Sequence, residues 1–124
     1  MNTLLLVAGV LSIAVGVIHS ILGEVLIFKK LRLGSIVPTL AVEPLRERNV
    51  RILWATWHIA SLFGWALGAL LIQIALTGVV SAGFVIEFIA LAMLVSGLLV
   101  LFATKGKHPG WIGLCLVALF CWLA

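Results

Sequence analysis

All eight lysine and arginine side chains of this 124-residue chain fall in two stretches: Lys29, Lys30, Arg32, Arg46, Arg48 and Arg51 in the first, Lys105 and Lys107 in the second. The rest is long apolar runs. A membrane-spanning helix needs about 20 such residues, and the runs place helices at about residues 3–28, 52–76, 82–104 and 109–123. A chain divided in this way gathers its charge at one membrane face. The expected fold is therefore an all-α membrane protein, a four-transmembrane-helix bundle with antiparallel up-down order and a single domain over residues 1–124. Composition agrees. The chain is 65% hydrophobic and 10% charged, with a mean hydropathy of +1.36, more apolar surface than a soluble domain of this size can cover.

The first apolar run has no basic segment before it and no clear cleavage site, so it reads as a retained helix and not as a signal peptide. Basic loops stay in the cytoplasm, which puts both termini on the non-cytoplasmic side, N-out and C-out, in a bacterial inner membrane. The net charge of +4 then reports topology and contact with anionic lipid headgroups. No basic residue is interleaved with aromatics on a soluble face, so nucleic acid is not an expected partner.

The first loop, residues 29–49, is too apolar for a free linker. It is expected to lie on the headgroups as an amphipathic segment broken by Pro38, with Pro44 opening an extension of the second helix. Within that extension Glu47 and Arg51 are one turn apart and able to pair. Trp54, Trp57, Trp111 and Trp122 fit interfacial belts, whereas Trp65 is too deep for one.

Helix one carries Gly9, Gly16 and Gly23 at a spacing of seven, with Ser12 and His19 between them. Helix two answers with Arg51, His58, Trp65 and Ile72 at the same spacing, and with Trp54, Ser61, Gly68 and Ala75 between. Small residues let helices approach closely in lipid. In an antiparallel pair whose loop ends lie at equal depth, facing residues have numbers summing to about 80. That register sets Trp65 against Gly16, Ile72 against Gly9, His58 against Gly23, Ser61 against His19 and Gly68 against Ser12.

Ionisable groups inside a membrane are costly, so each one here needs a reason. His19, Ser20, Glu24, His58, Ser61 and Arg51 fall in the loop-side half and form one candidate site for an ion, proton or small ligand. Gln73 and Glu87 lie toward the other face and form a candidate pair. The bland readings are a His19–Ser61 interhelical hydrogen bond and an ion pair of Glu24 with Arg51 or Lys105. Glu24 lies about 140° around the helix from His19, which points it to the flank of the hairpin, toward helix three, helix four or another subunit.

Three function classes follow from the residues. One is binding or conduction of an ion, proton or small ligand at the His/Glu site. Another is an accessory or assembly subunit with no chemistry of its own. The third is a redox protein, with a metal ion on His19, His58 and Glu24 or a haem between the two histidines with Arg48 or Arg51 on its propionates. A close hairpin leaves little room for the porphyrin. No nucleophile–base pair or phosphate loop supports an enzyme. Cys115 and Cys121, six residues apart, fall on opposite sides of a helix and read as packing residues. A chain this small is expected to work as a homo-oligomer or within a membrane complex.

Overall fold

The computed structural model describes residues 1–124. It contains α1 (Thr3–Leu26), α2 (Glu47–Thr77), α3 (Ala82–Thr104) and α4 (Gly110–Leu123), with a short 3-10 turn at Phe28–Leu31 after α1. There is no sheet. Helices α1, α2 and α3 are each long and apolar enough to cross a bilayer, which makes the chain an integral membrane protein. Helix α4 has 14 residues, about 21 Å of helix against a hydrocarbon core of about 30 Å.

Local chemistry sets the helix ends. The Asn2 side chain accepts the N–H groups of Leu4 and Leu5, and Ser81 accepts that of Phe84, satisfying donors that no helical carbonyl can reach. Helix α2 stops at Gly78, whose φ of 76° is a conformation glycine adopts without steric cost. Pro44 does not open α2, contrary to the sequence expectation. It sits in a tight turn closed by the Leu45 N–H on the Val42 carbonyl, and the helix begins at Glu47.

Each helix packs on its sequence neighbours, α1 on α2, α2 on α3 and α3 on α4, and no other pair forms an extensive interface. The bundle is thus an open row. Neighbours run antiparallel: the Asn2 N–H reaches the Ala75 carbonyl at one end of α1–α2. Arg51 Nη1 donates to the Ala103 carbonyl where α2 begins and α3 ends.

The α1–α2 contact follows the small-residue seam. A Cβ added to Gly9 would lie 2.7 Å from the Gly68 carbonyl oxygen, so the two backbones touch there. At Gly16 the Trp65 indole fills the space, and at Gly23 the occupant is Trp57, one residue from the expected His58. Both indoles use the opening to reach backbone oxygen. Trp57 Nε1 donates to the His19 carbonyl at 2.9 Å and Trp65 Nε1 to that of Ile13 at 3.2 Å. Ser12 Oγ returns the contact by donating to the Gly64 carbonyl at 2.7 Å.

The first loop sends part of its length into the core, while Leu33, Ile36 and Val42 stay exposed. The N–H groups of Thr39 and Leu40 both bond the Leu31 carbonyl, folding the chain back on itself. Val37 and Pro38 are buried by that return. Val37 joins Phe28, Trp54, Ala55, Val100 and Ala103 in one apolar cluster that links the loop to α1, α2 and α3.

Candidate functional site

Ser20 and Glu24 are one turn apart on α1, and Trp54 and His58 are one turn apart on α2 with Ser61 the next turn on. Residues at that spacing share a helix face, and the α1–α2 hairpin closes these two faces on each other. Glu24 Oε1 accepts from Trp54 Nε1 at 2.5 Å and bonds His58 Nε2 at 2.9 Å. The Arg32 guanidinium forms an ion pair with Glu24 Oε2. On the other side of the imidazole, His58 Nδ1 bonds Ser20 Oγ at 2.9 Å, and Ser20 Oγ bonds Ser61 Oγ at 2.8 Å. The result is a continuous polar chain, Arg32–Glu24–His58–Ser20–Ser61, between two helices.

The surrounding packing fixes this chain. The Trp54 indole meets the His58 ring edge-on, with centroids 5.0 Å apart. Arg32 is steered by its own loop: its Nε donates to the Ile36 carbonyl at 2.6 Å, while Ser35 Oγ holds the Val37 carbonyl at 2.6 Å. Glu24 keeps 26% of its side-chain surface uncovered and His58 17%. The hairpin thus covers the site only in part.

Chemically, the chain supports two proton arrangements. With His58 protonated at Nε2 alone, that N–H donates to the Glu24 carboxylate and Ser20 donates to Nδ1. With a second proton on Nδ1, the imidazolium donates to Glu24 and to Ser20 alike, and the Ser20 hydroxyl turns to donate to Ser61. A hydroxyl carries one proton and two lone pairs, so both arrangements satisfy Ser20. Adding that proton at Nδ1 reverses the polarity of the hydroxyl bonds.

Several expectations from the sequence are corrected here. Glu24, expected on the flank away from the hairpin, is the residue that meets α2. His19 is the outlier: its ring stacks on Trp57 with centroids 4.3 Å apart and an interplanar angle of 7°, and it does not bond Ser61. The roughly 140° between the two residues is right, but they leave opposite sides of the interface, and His58 lies on the side of Glu24. Arg51 is not the partner of Glu24 either. Its Nε pairs with Glu47 Oε1 at 2.7 Å, and its Nη1 takes the Ala103 carbonyl.

Glu87 likewise bonds Trp122 Nε1 at 2.9 Å and not Gln73, because α3 packs on α4 along the stretch where α4 ends. The proposed metal set of His19, His58 and Glu24 does not converge. No three His, Cys or Glu side chains lie close enough together to hold a metal ion. The two imidazoles also face different surroundings, one against Trp57 and one in the polar chain, which does not fit a haem held between them.

Two members of the site were missed by sequence reasoning. Trp54, which its place near a helix end suggests for an interfacial belt, is 7% exposed and donates to Glu24; its position one turn before His58 is the available signal. Arg32 carries no such signal, since a 3-10 turn and a folded loop bring it back to Glu24. Comparison of the chain with protein-family models, with curated proteins and with solved structures returns no match, and geometry alone therefore carries the functional reading.

Proposed function

We propose that this chain is a small polytopic membrane protein that takes up a proton at an intramembrane Glu24–His58 site, in the service of binding or conducting an ion, a proton or a small ligand. One observation carries the reading: both ring nitrogens of His58 are engaged, one by a carboxylate and one by a hydroxyl that leads on to a second hydroxyl. An imidazole that only filled space would need neither. The proposed setting is a bacterial inner membrane with both termini on the non-cytoplasmic side and the basic loops in the cytoplasm, which opens the Arg32 end of the chain to the cytoplasmic side. Ser61 sits about five residues deeper than Glu24 in the hairpin register, about 8 Å along the helix axis.

The test is proton flux into vesicles holding the purified protein under an imposed pH gradient. Flux above that of empty vesicles, lost in His58→Gln and in Glu24→Gln but kept in Glu87→Gln, supports the proposal. Flux in His58→Gln equal to the parent's rejects it. A second reading, an accessory subunit of a homo-oligomer or membrane complex, draws on the Glu87–Trp122 pair, which is exposed on the outer side of α3–α4. Lipid tails offer no partner to a carboxylate there, whereas a neighbouring subunit does. Protein with no flux but a stable partner that is lost in Glu87→Leu favours that reading.

A further inference from the structure

At the loop end of the bundle, on the side of α2 away from α1, a cleft of about 700 Å³ lies between the first turn of α2 and the α3–α4 connection. Five cationic side chains line it, Arg46, Arg48, Arg51, Lys105 and Lys107, against the single carboxylate of Glu47. That carboxylate is committed to Arg51. Arg46, Arg48, Lys105 and Lys107 form no ion pair with any acidic residue. The only apolar residue in the lining is Ile52.

A rule that keeps basic residues on one membrane face does not require them to converge. Lys29 and Lys30 sit at the same end of the bundle and lie outside the cleft. Gathering four unpaired cations around one hollow raises the free energy of the empty site through mutual repulsion, which a bound anion relieves. The donor set is also specific in kind. Guanidinium groups offer paired N–H donors that match phosphate oxygens, and lysines add point charges. The opening turn of α2 lines the same wall through Glu47 and Arg48, whose N–H groups have no backbone acceptor, and helix N-termini favour anions. The scaffold is pre-set, because Arg51 ties α2 to the Ala103 carbonyl at 3.0 Å and so fixes the two walls relative to each other.

We propose that this cleft is a binding site for a polyanionic phosphate group, either the headgroup of an anionic phospholipid or a soluble phosphate compound. It turns the general attraction of basic loops for anionic lipid into one discrete site. It stands apart from the Glu24–His58 chain and does not depend on it.

The experiment uses the full chain in discs of phosphatidylcholine, titrated with inorganic pyrophosphate, and in a second arm the full chain purified from vesicles containing phosphatidic acid and assayed for retained lipid. The variant pair is Arg48→Gln with Lys107→Gln, whose side chains make no hydrogen bond in the fold, so its loss does not unfold the protein. The control pair is Lys29→Gln with Lys30→Gln, which removes the same charge outside the cleft. Saturable binding that weakens by about tenfold or more in the cleft pair and stays within about twofold in the control pair is expected. Saturation by pyrophosphate identifies a soluble phosphate ligand. Retained phosphatidic acid that pyrophosphate does not displace identifies a lipid headgroup. Equal loss in both pairs, or no saturable binding of either probe, overturns the proposal.

Discussion

The α1–α2 and α3–α4 hairpins look alike in composition and differ in how they are held. Both are antiparallel and both place glycine at the contact. In α1–α2 the glycines admit two indoles that bond opposing backbone carbonyls, and a polar chain runs beside them. In α3–α4, Gly97 meets the Cys115 sulfur and the Trp111 backbone, and the one polar link, Glu87–Trp122, lies exposed at the far end. Ser96 on α3 is buried with its hydroxyl unpartnered. Helices in lipid gain no hydrophobic driving force from pairing, so close packing and hydrogen bonds must hold them. The first hairpin uses both. The second relies on packing, which is why the functional reading rests on the first.

The largest expected effect breaks the first hairpin outright. Gly9→Leu places a side chain where the Gly68 carbonyl already sits, and should destabilise the protein by about 3 kcal/mol in denaturation from detergent. Gly113→Leu, with nothing within 4 Å of the added Cβ, should leave stability nearly unchanged. Next, Glu24→Ala strands Trp54, His58 and Arg32 together and should cost about 2 kcal/mol, whereas Glu87→Ala frees only the exposed Trp122 indole and should cost under about 0.5 kcal/mol. Equal losses at the two glutamates would erase the distinction between the hairpins.

Two serines, Ser20 half-buried and Ser96 buried, sharpen the comparison further. Ser20→Ala removes two interhelical links and should cost about 1 kcal/mol. Ser96→Ala removes a hydroxyl with no partner and should raise stability by up to about 1 kcal/mol, so the two changes have opposite sign in the same thermal denaturation assay. The smallest effect is at the second imidazole. His19→Phe keeps the flat stack on Trp57 and should move stability by less than about 0.5 kcal/mol, while His58→Phe breaks the polar chain on both sides.

Much of the architecture is legible in the chain itself, because lipid imposes simple rules: span length, basic loops at one face, and small residues where helices touch. The register of Gly9, Gly16 and Gly68 follows from spacing and helix rise alone. The site was less legible. A modest rotation of α1 decides whether His19 or Glu24 reaches His58, and periodicity does not resolve that. The seam centres on glycines, and the side chains on either flank, His19 on one and Ser20 with Glu24 on the other, enter different surroundings. Arg32 lies beyond any periodic argument, since its position depends on a loop that folds back and is anchored by Val37 on the cluster of Phe28 and Trp54.

The central claim is that His58, and not His19, is joined to Glu24 on one nitrogen and to Ser20 on the other. Nitrogen-15 NMR of histidine-labelled protein in bilayers reads this directly, since the chain carries three histidines and each ring nitrogen reports its own hydrogen bond. Glu24→Gln should move the Nε2 resonance of His58 and Ser20→Ala its Nδ1 resonance, with His19 and His108 unmoved. A His58 signal indifferent to both changes, or a His19 signal that responds in its place, would contradict the account.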